Sequence, residues 1–415
     1  MIVAPLYLLA VVVPQGGLFR SRGYRDIGLY GEYAHGLLDG RLPYRDVFVE
    51  YPPGAFAVLT PPALLPEDAY RHAFKVLMAL VGLATLVVAA LILVRLAAVP
   101  RRLYGTLAAL ALAPLALGPV SLNTYDSWPA LLVAGALCAL LYERPTLGFA
   151  LLGLAVTAKL YPAALLPLFC LVASRRGLGR PLLAFAVTVA AVIFPFAAIG
   201  WNGLWESFEA QVQRSLQLES LGGAVLLAAE RLGIYDAEVV SGSTAAVSRD
   251  LAGSLPDALA IATSVLQVAA VLLVVWWVAR RPVDGERLVA ASAATLVGFL
   301  AFAKFISPQY LLWLLPVVPL VAAPIGVAAS ALLALAMVLG QLWFFHYRDV
   351  FAVEETVWLV LARDVALVAL YGVLLVGLRL RTKIPSSAIS VAQSPLRRSR
   401  ASGIAAVDGA ERRSR

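Results

Sequence analysis

Cysteine, histidine and charge are all scarce in this chain. Its two cysteines, Cys138 and Cys170, sit inside apolar runs and cannot build a disulfide framework or a zinc ligand set. The three histidines, His35, His72 and His346, lie far apart and lack metal-ligand spacing. No G-x-x-x-x-G-K-[ST] loop and no G-x-G-x-x-G turn occurs, so neither ATP-driven nor dinucleotide chemistry is expected. Charged residues make up 14% of the 415 and hydrophobic residues 61%, against soluble norms of roughly 25% and roughly 45–50%. That balance excludes an ordinary soluble domain. The chain reads as an all-α polytopic membrane protein.

The formal charge of +8 is not a nucleic-acid footprint, because it is concentrated at one end. Between Arg379 and Arg415 nine basic residues stand against Asp408 and Glu411, a balance of +7. Residues 379–415 are rich in Arg, Ser and Ala and lack aromatics, which predicts a disordered basic tail. Ahead of it, apolar stretches fall near 2–19, 70–95, 103–120, 128–142, 146–158, 161–174, 181–199, 257–279, 287–303, 309–323, 324–344 and 356–378. They predict about 12 transmembrane helices (10–13) in a single polytopic domain over 1–378. Residues 1–13 have no basic n-region and no A-x-A site, and are read as part of the first span.

Sidedness follows from the basic loops. Arg95, Arg101 and Arg102, then Arg175, Arg176 and Arg180, then Arg280, Arg281 and Arg287, and the tail, all fall on one side of this span list. That side is expected to be the cytoplasm, with the protein in the plasma membrane. The opposite side receives a large first loop, 20–69, and a second, 200–256, which carries three basic and seven acidic residues.

The outer loops hold the candidate chemistry. Ile27, Tyr30, Ala34 and Leu37 share helical spacing, which predicts an amphipathic helix lying on the membrane surface. Asp26 stands just before it, where a helix cap and a catalytic carboxylate are both open readings. Asp46 and Glu50 lead into Tyr51 and a segment, 51–66, holding five prolines, which reads as re-entrant or interfacial rather than spanning. A carboxylate there needs a partner or a role; pairing with Arg41 or Arg45 is the plain alternative. Asp126, Lys159, Lys304, Gln309, His346 and Arg348 all fall at outer helix ends. Lys159 and Lys304 read as isolated cations beside Tyr and Pro, suited to a phosphate; snorkelling of a helix-end lysine is the plain alternative.

These residues form a pattern. Asp26, Tyr30, Gly40, Tyr44 and Tyr51-Pro52-Pro53 are followed by A-K-x-x-P at Ala158–Pro162 and S-P-Q-Y-x-x-W-x-x-P at Ser307–Pro316. Together with RSLQLESLG at 214–222, they resemble glycosyltransferase family 87. These are the polyprenyl-phosphate-mannose-dependent mannosyltransferases of actinobacteria, within the C-type (GT-C) membrane glycosyltransferases. The resemblance covers roughly residues 20–350. It implies inverting transfer on the outer face, from a polyprenyl-phosphate sugar to a lipid or glycan acceptor, with Asp26 as general base. Lys159, Lys304 and Arg348 would hold the donor phosphate. Tyr30, Asp46, Glu50, Tyr51, Asp126, Gln309 and His346 would line the substrate site. No cofactor and no metal are expected.

Two readings compete with this enzyme. A transporter or flippase of lipid-linked sugars would place its polar groups near the bilayer midplane and often shows inverted repeats, whereas here the polar groups gather at outer helix ends. A scaffold for envelope assembly has no need of cations at helix ends.

Overall fold

The computed structural model describes residues 2–16, 26–174, 177–241, 249–346 and 353–380, with the side chains of 241, 344–346 and 353–355 left aside. Helices dominate. The first half runs α1 (Val3–Val12), α2 (Asp26–Leu38), α3 (Phe56–Leu59), α4 (Tyr70–Arg95), α5 (Pro100–Leu117), α6 (Val120–Asn123), α7 (Ser127–Leu141) and α8 (Pro145–Ala158). The second half adds α9 (Leu166–Ala173), α10 (Gly179–Val212), α11 (Leu221–Arg231), α12 (Ser254–Ala279), α13 (Gly285–Ala301), α14 (Ile325–His346) and α15 (Val353–Leu380). Residues through Leu378 form one compact unit. The tail beyond Leu380 lies outside the described residues.

Among the described residues five helices are long and apolar enough to cross a membrane: Glu67–Arg95, Gly179–Val212, Ser254–Ala279, Ile325–Trp343 and Thr356–Leu380. Shorter apolar helices lie at Val3–Gln15, Ser127–Leu141, Pro145–Ala158, Tyr161–Ala173 and Pro308–Leu320. Proline explains many of the short ones. Pro162, Pro308 and Pro319 each open a 3-10 turn where the apolar run would otherwise continue as one helix. The outward faces of α10 and α12 leave Leu183, Val187, Phe194, Val265, Leu272 and Trp276 exposed, an apolar belt suited to hydrocarbon. This is a membrane protein.

Two sequence expectations need correction. The chain is not wholly helical: Leu216–Gln217 (β1), Glu238–Ser241 (β2) and Arg249–Ala252 (β3) form a small antiparallel sheet in the order β1-β3-β2. Leu251 opposes both Leu216 and Val239 in it. The stripe of α2 does not lie on a membrane surface either. Ile27, Tyr30 and Ala34 are buried in the main core, where Tyr30 packs on Phe74 of α4 with ring centroids 5.4 Å apart. An apolar stripe specifies burial, and here protein supplies the partner more closely than lipid would.

The proline-rich segment after α2 does not span. It folds as single turns, Pro53–Ala55, α3 and Pro61–Leu64, with Pro53, Gly54, Phe56, Leu59 and Pro62 buried. Gly54 is required by packing: a Cβ there would stand 2.6 Å from the carbonyl carbon and Oγ1 of Thr157. The first loop is thereby pressed against the last turn of α8, one residue before Lys159. A second close approach joins the loop to α10, where a Cβ on Gly203 would lie 1.9 Å from the Tyr44 carbonyl oxygen.

The ends of the bundle differ in chemistry. At one, Arg102 holds both carboxylate oxygens of Glu286 and donates to the Leu320 carbonyl at 2.7 Å, while Arg95 donates to the Leu141 carbonyl at 2.8 Å. The ends of α4, α5, α7 and α13 meet there. The first loop, the start of α7 and the end of α8 meet at the other.

Candidate active site

Three elements bring a carboxylate and a cation together at that second end. Helix α8 stops at Ala158, and Lys159 turns extended (φ −161°, ψ 147°) ahead of the 3-10 turn opened by Pro162. Its Nζ lies 2.5 Å from Oδ1 of Asp126, at the start of α7. The same oxygen accepts the Trp313 indole N–H at 2.6 Å. The ammonium also sits 4.9 Å from the Tyr125 ring centroid, 5.0 Å from Tyr310 and 5.4 Å from Trp313, an aromatic cage of cation–π contacts. Stacking of Tyr161 and Tyr310 on either side of Trp313, each at 4.0 Å, fixes that cage. Asp126 is almost fully buried and its Oδ2 has no hydrogen-bond partner.

Lys159 is therefore not the isolated cation that the sequence suggested. The spacing could not reveal this, because its partner lies 33 residues away in another helix.

Asp26 opens α2 as its first residue, one position inside the expected cap. Burial pushes its carboxyl up to about 6, Asp126 and Glu50 add to the rise, and Lys159 opposes it. Asp26, Asp126, Glu50 and Lys159 are thus one electrostatic neighbourhood. Three tyrosines wall it, with Tyr30–Tyr51, Tyr30–Tyr125 and Tyr51–Tyr125 ring centroids 5.6, 5.6 and 5.2 Å apart, all edge to face. Burial holds these phenols well above their ordinary range, so they act as protonated donors.

The remaining expected residues divide. Glu50 is buried and faces Arg214, with Oε2 3.7 Å from a guanidinium nitrogen. Lys304 donates from Nζ to the Val212 carbonyl at 2.6 Å. Gln309 accepts from the Ser307 hydroxyl at 2.6 Å. Asp46 stands apart: its Oδ2 accepts the Leu42 N–H at 2.9 Å and its Oδ1 lies 3.4 Å from Arg45, so it closes its own turn. It also lines an open cavity of about 580 Å³ between residues 44–48 and the kinked stretch of α10 around Gly200. Of the pairings left open for these two carboxylates, Arg45 meets Asp46, whereas Glu50 meets Arg214 instead. His346 ends α14 with its side chain outside the described residues, and Arg348 lies outside them altogether.

Sequence reasoning missed Arg214 as a site residue, although it begins the 214–222 segment. It also passed over the buried charges of α15. Arg363 donates from Nε to Asp364 at 2.9 Å and from Nη1 to Glu219 at 3.3 Å, and from Nη2 to the Glu219 carbonyl. Polar groups thus do not gather at helix ends alone, since Arg363 and Asp364 lie within the long apolar helix Thr356–Leu380. Counting charges per run hid a pair that is adjacent and mutually neutralising.

A sequence-family profile described as glycosyltransferase family 87 matches residues 48–308. The chain belongs to glycosyltransferase family 87. The match takes in Glu50, Tyr51, Asp126, Lys159, Arg214 and Lys304, so most of the cluster lies inside the family region, while Asp26 and Tyr30 precede it. A comparison with curated proteins finds no match. As a member of family 87 the chain is a membrane glycosyltransferase, and the cluster just described is its candidate active site.

Proposed function

We propose that this glycosyltransferase moves a sugar, mannose foremost, from a polyprenyl-phosphate carrier to a hydroxyl of a lipid or glycan acceptor. Transfer takes place on the extracytoplasmic face of the plasma membrane, within a C-type architecture of about twelve spans, and inverts the anomeric carbon. The observation that carries the reading is Asp26, a carboxylate raised to about 6 by burial among Asp126, Glu50 and protonated tyrosines. Such a base is ionised near neutrality yet accepts a proton more readily than an ordinary aspartate.

The charge movement is simple. The acceptor oxygen forms a bond to the anomeric carbon as the bond from that carbon to the phosphate oxygen breaks. The acceptor proton passes to Asp26, and the bonding pair leaves with the phosphate. A donor phosphodiester carrying one negative charge becomes a phosphate monoester carrying two, while Asp26 becomes neutral. Negative charge thus migrates from the base toward the leaving group, and a fixed cation there lowers the barrier. Lys304 and Arg348 are assigned to that pole. Lys159, held by Asp126, orders the base end. Tyr30, Tyr51 and Gln309 offer hydrogen bonds to sugar hydroxyls, and Asp46 and His346 are assigned to substrate binding with them. No metal is required for these steps.

The test is to incubate the purified protein in lipid with labelled polyprenyl-phosphate-mannose and an acceptor-lipid extract, with and without chelator. A labelled product of inverted anomeric configuration, formed equally with chelator, is expected. Uptake of labelled sugar into vesicles without covalent product would favour a transporter instead, and loss of product with chelator would sink the metal-free mechanism.

A further inference from the structure

Lys304 has a cationic neighbour that the proposed reaction does not yet use. Arg214 leaves α10 two residues after its end and projects between the first loop and the turn before Pro308. Its guanidinium lies 4.8 Å from the Phe305 ring centroid. Among the described residues its ionic contact is the 3.7 Å approach to Glu50, too long for a hydrogen bond. Its Nε is buried with no hydrogen-bond partner, and so is Oε2 of Glu50. A guanidinium has five N–H donors to satisfy, so this one is underused where it stands.

The surroundings carry a surplus of positive charge. Burial and the adjacent Arg214 both lower the pKa of Lys304, so the two cations repel each other. Glu50 is the carboxylate that Arg214 faces, whereas Lys304 donates to the Val212 carbonyl. The segment is held rigidly: the Gln217 N–H donates to the Lys304 carbonyl at 3.0 Å, and Gln217 Oε1 accepts the Ile306 N–H at 2.9 Å. Gln211 donates to the Glu50 carbonyl at 3.1 Å. Behind it, Glu219 is clamped by Arg363. Arg214, Lys304 and Glu50 therefore form one braced unit beside the acid cluster, with a fork of donors and a point charge. Lys159, by contrast, already has a 2.5 Å carboxylate partner and an aromatic cage.

We propose that Arg214 is the principal ligand of the donor phosphate, acting with Lys304, and that Glu50 holds its guanidinium in place until the phosphate arrives. This rests on the transfer reaction proposed above. The planar fork can take two phosphate oxygens at once, which an ammonium cannot. As the leaving phosphate gains its second charge, Arg214 exchanges a long contact to Glu50 for short charge-assisted bonds. The pull of the guanidinium on Glu50 weakens in the same event, so the acid cluster and the leaving-group pole are coupled through a single side chain.

The test measures binding of a polyprenyl phosphate, the reaction product without its sugar, to the purified full-length protein in detergent. Arg214→Gln should raise its dissociation constant at least tenfold, and Arg214→Lys should restore part of the affinity. In turnover, Arg214→Gln should lower kcat and relieve product inhibition while leaving the acceptor KM near wild type. Arg214→Gln and Arg214→Lys variants that both bind the polyprenyl phosphate as tightly as wild type would overturn the assignment while leaving the transferase reading intact. A wild-type protein that binds the polyprenyl phosphate through Arg214 but transfers no sugar from any such carrier would sink the proposed donor and, with it, the donor-phosphate role of Arg214. Failure of the wild type to bind would overturn both.

Discussion

At the scale of the residue, the same burial that makes Asp26 useful makes it costly. A folded-state pKa near 6, above the ordinary value of 3.8, means the native protein holds this proton more tightly than the unfolded chain. Its contribution to stability is therefore present in full below about 3.8 and is lost as pH rises through about 6. Activity has the opposite sign: kcat/KM should fall as pH drops through about 6, following a single ionisation, and a pH–rate profile in lipid would show it. Asp126 makes a different case. Asp126→Asn leaves Lys159 without its carboxylate and should destabilise by about 3–5 kcal/mol, the usual cost of breaking a buried pair. Asp126→Asn with Lys159→Met should recover part of the loss, as thermal unfolding of the two variants would reveal. The residue types of this site were legible in the sequence, since Asp26, Glu50, Asp126 and Lys159 all stood out as charges at helix ends. Their pairing was not, because each contact joins residues distant along the chain.

Elements explain how those residues meet. The Y-P-P-G turn places Tyr51 against Tyr30 and Tyr125, and Gly54 lets it close on the last turn of α8. Gly54→Ala pushes a methyl into backbone and should cost about 2 kcal/mol or more, in the range of an overpacked core, with at least a tenfold loss of transfer. A variant with wild-type melting and activity would show that the loop does not set the position of Lys159. The helix at 26–38 could be read from its spacing, but its partner could not: an apolar stripe looks alike whether it meets lipid or protein. The small sheet was hidden for a related reason, since strands of two to four residues carry too little alternation to rise above their surroundings. Arg363 shows the same limit in reverse, a charge legible in the sequence whose partner, Glu219, sits on the loop that carries Arg214.

The whole molecule is a bundle with chemically distinct ends. Arginines that meet Glu286, Leu141 and Leu320 gather at one, and carboxylates caged by tyrosines at the other. The positive-inside rule leads us to propose that the first of these faces the cytoplasm. With Cys138 and Cys170 replaced, a cysteine at Glu230 should react with a membrane-impermeant maleimide on intact cells, and one at Arg101 only after permeabilisation. The reverse pattern would invert the topology and contradict transfer on the extracytoplasmic face. Broad class and family followed from composition and motifs because they depend on sums and short patterns. The broken helices at 161–173 and 308–320 depend on where each proline falls in three dimensions.

The central claim is that Asp26 takes the acceptor proton, and the most direct measurement compares wild type with Asp26→Asn in lipid, using labelled polyprenyl-phosphate-mannose. The wild type should form product; Asp26→Asn should form none while binding the donor normally and melting a few degrees higher, because a buried charge has been removed. Turnover by Asp26→Asn near the wild-type rate would contradict the account.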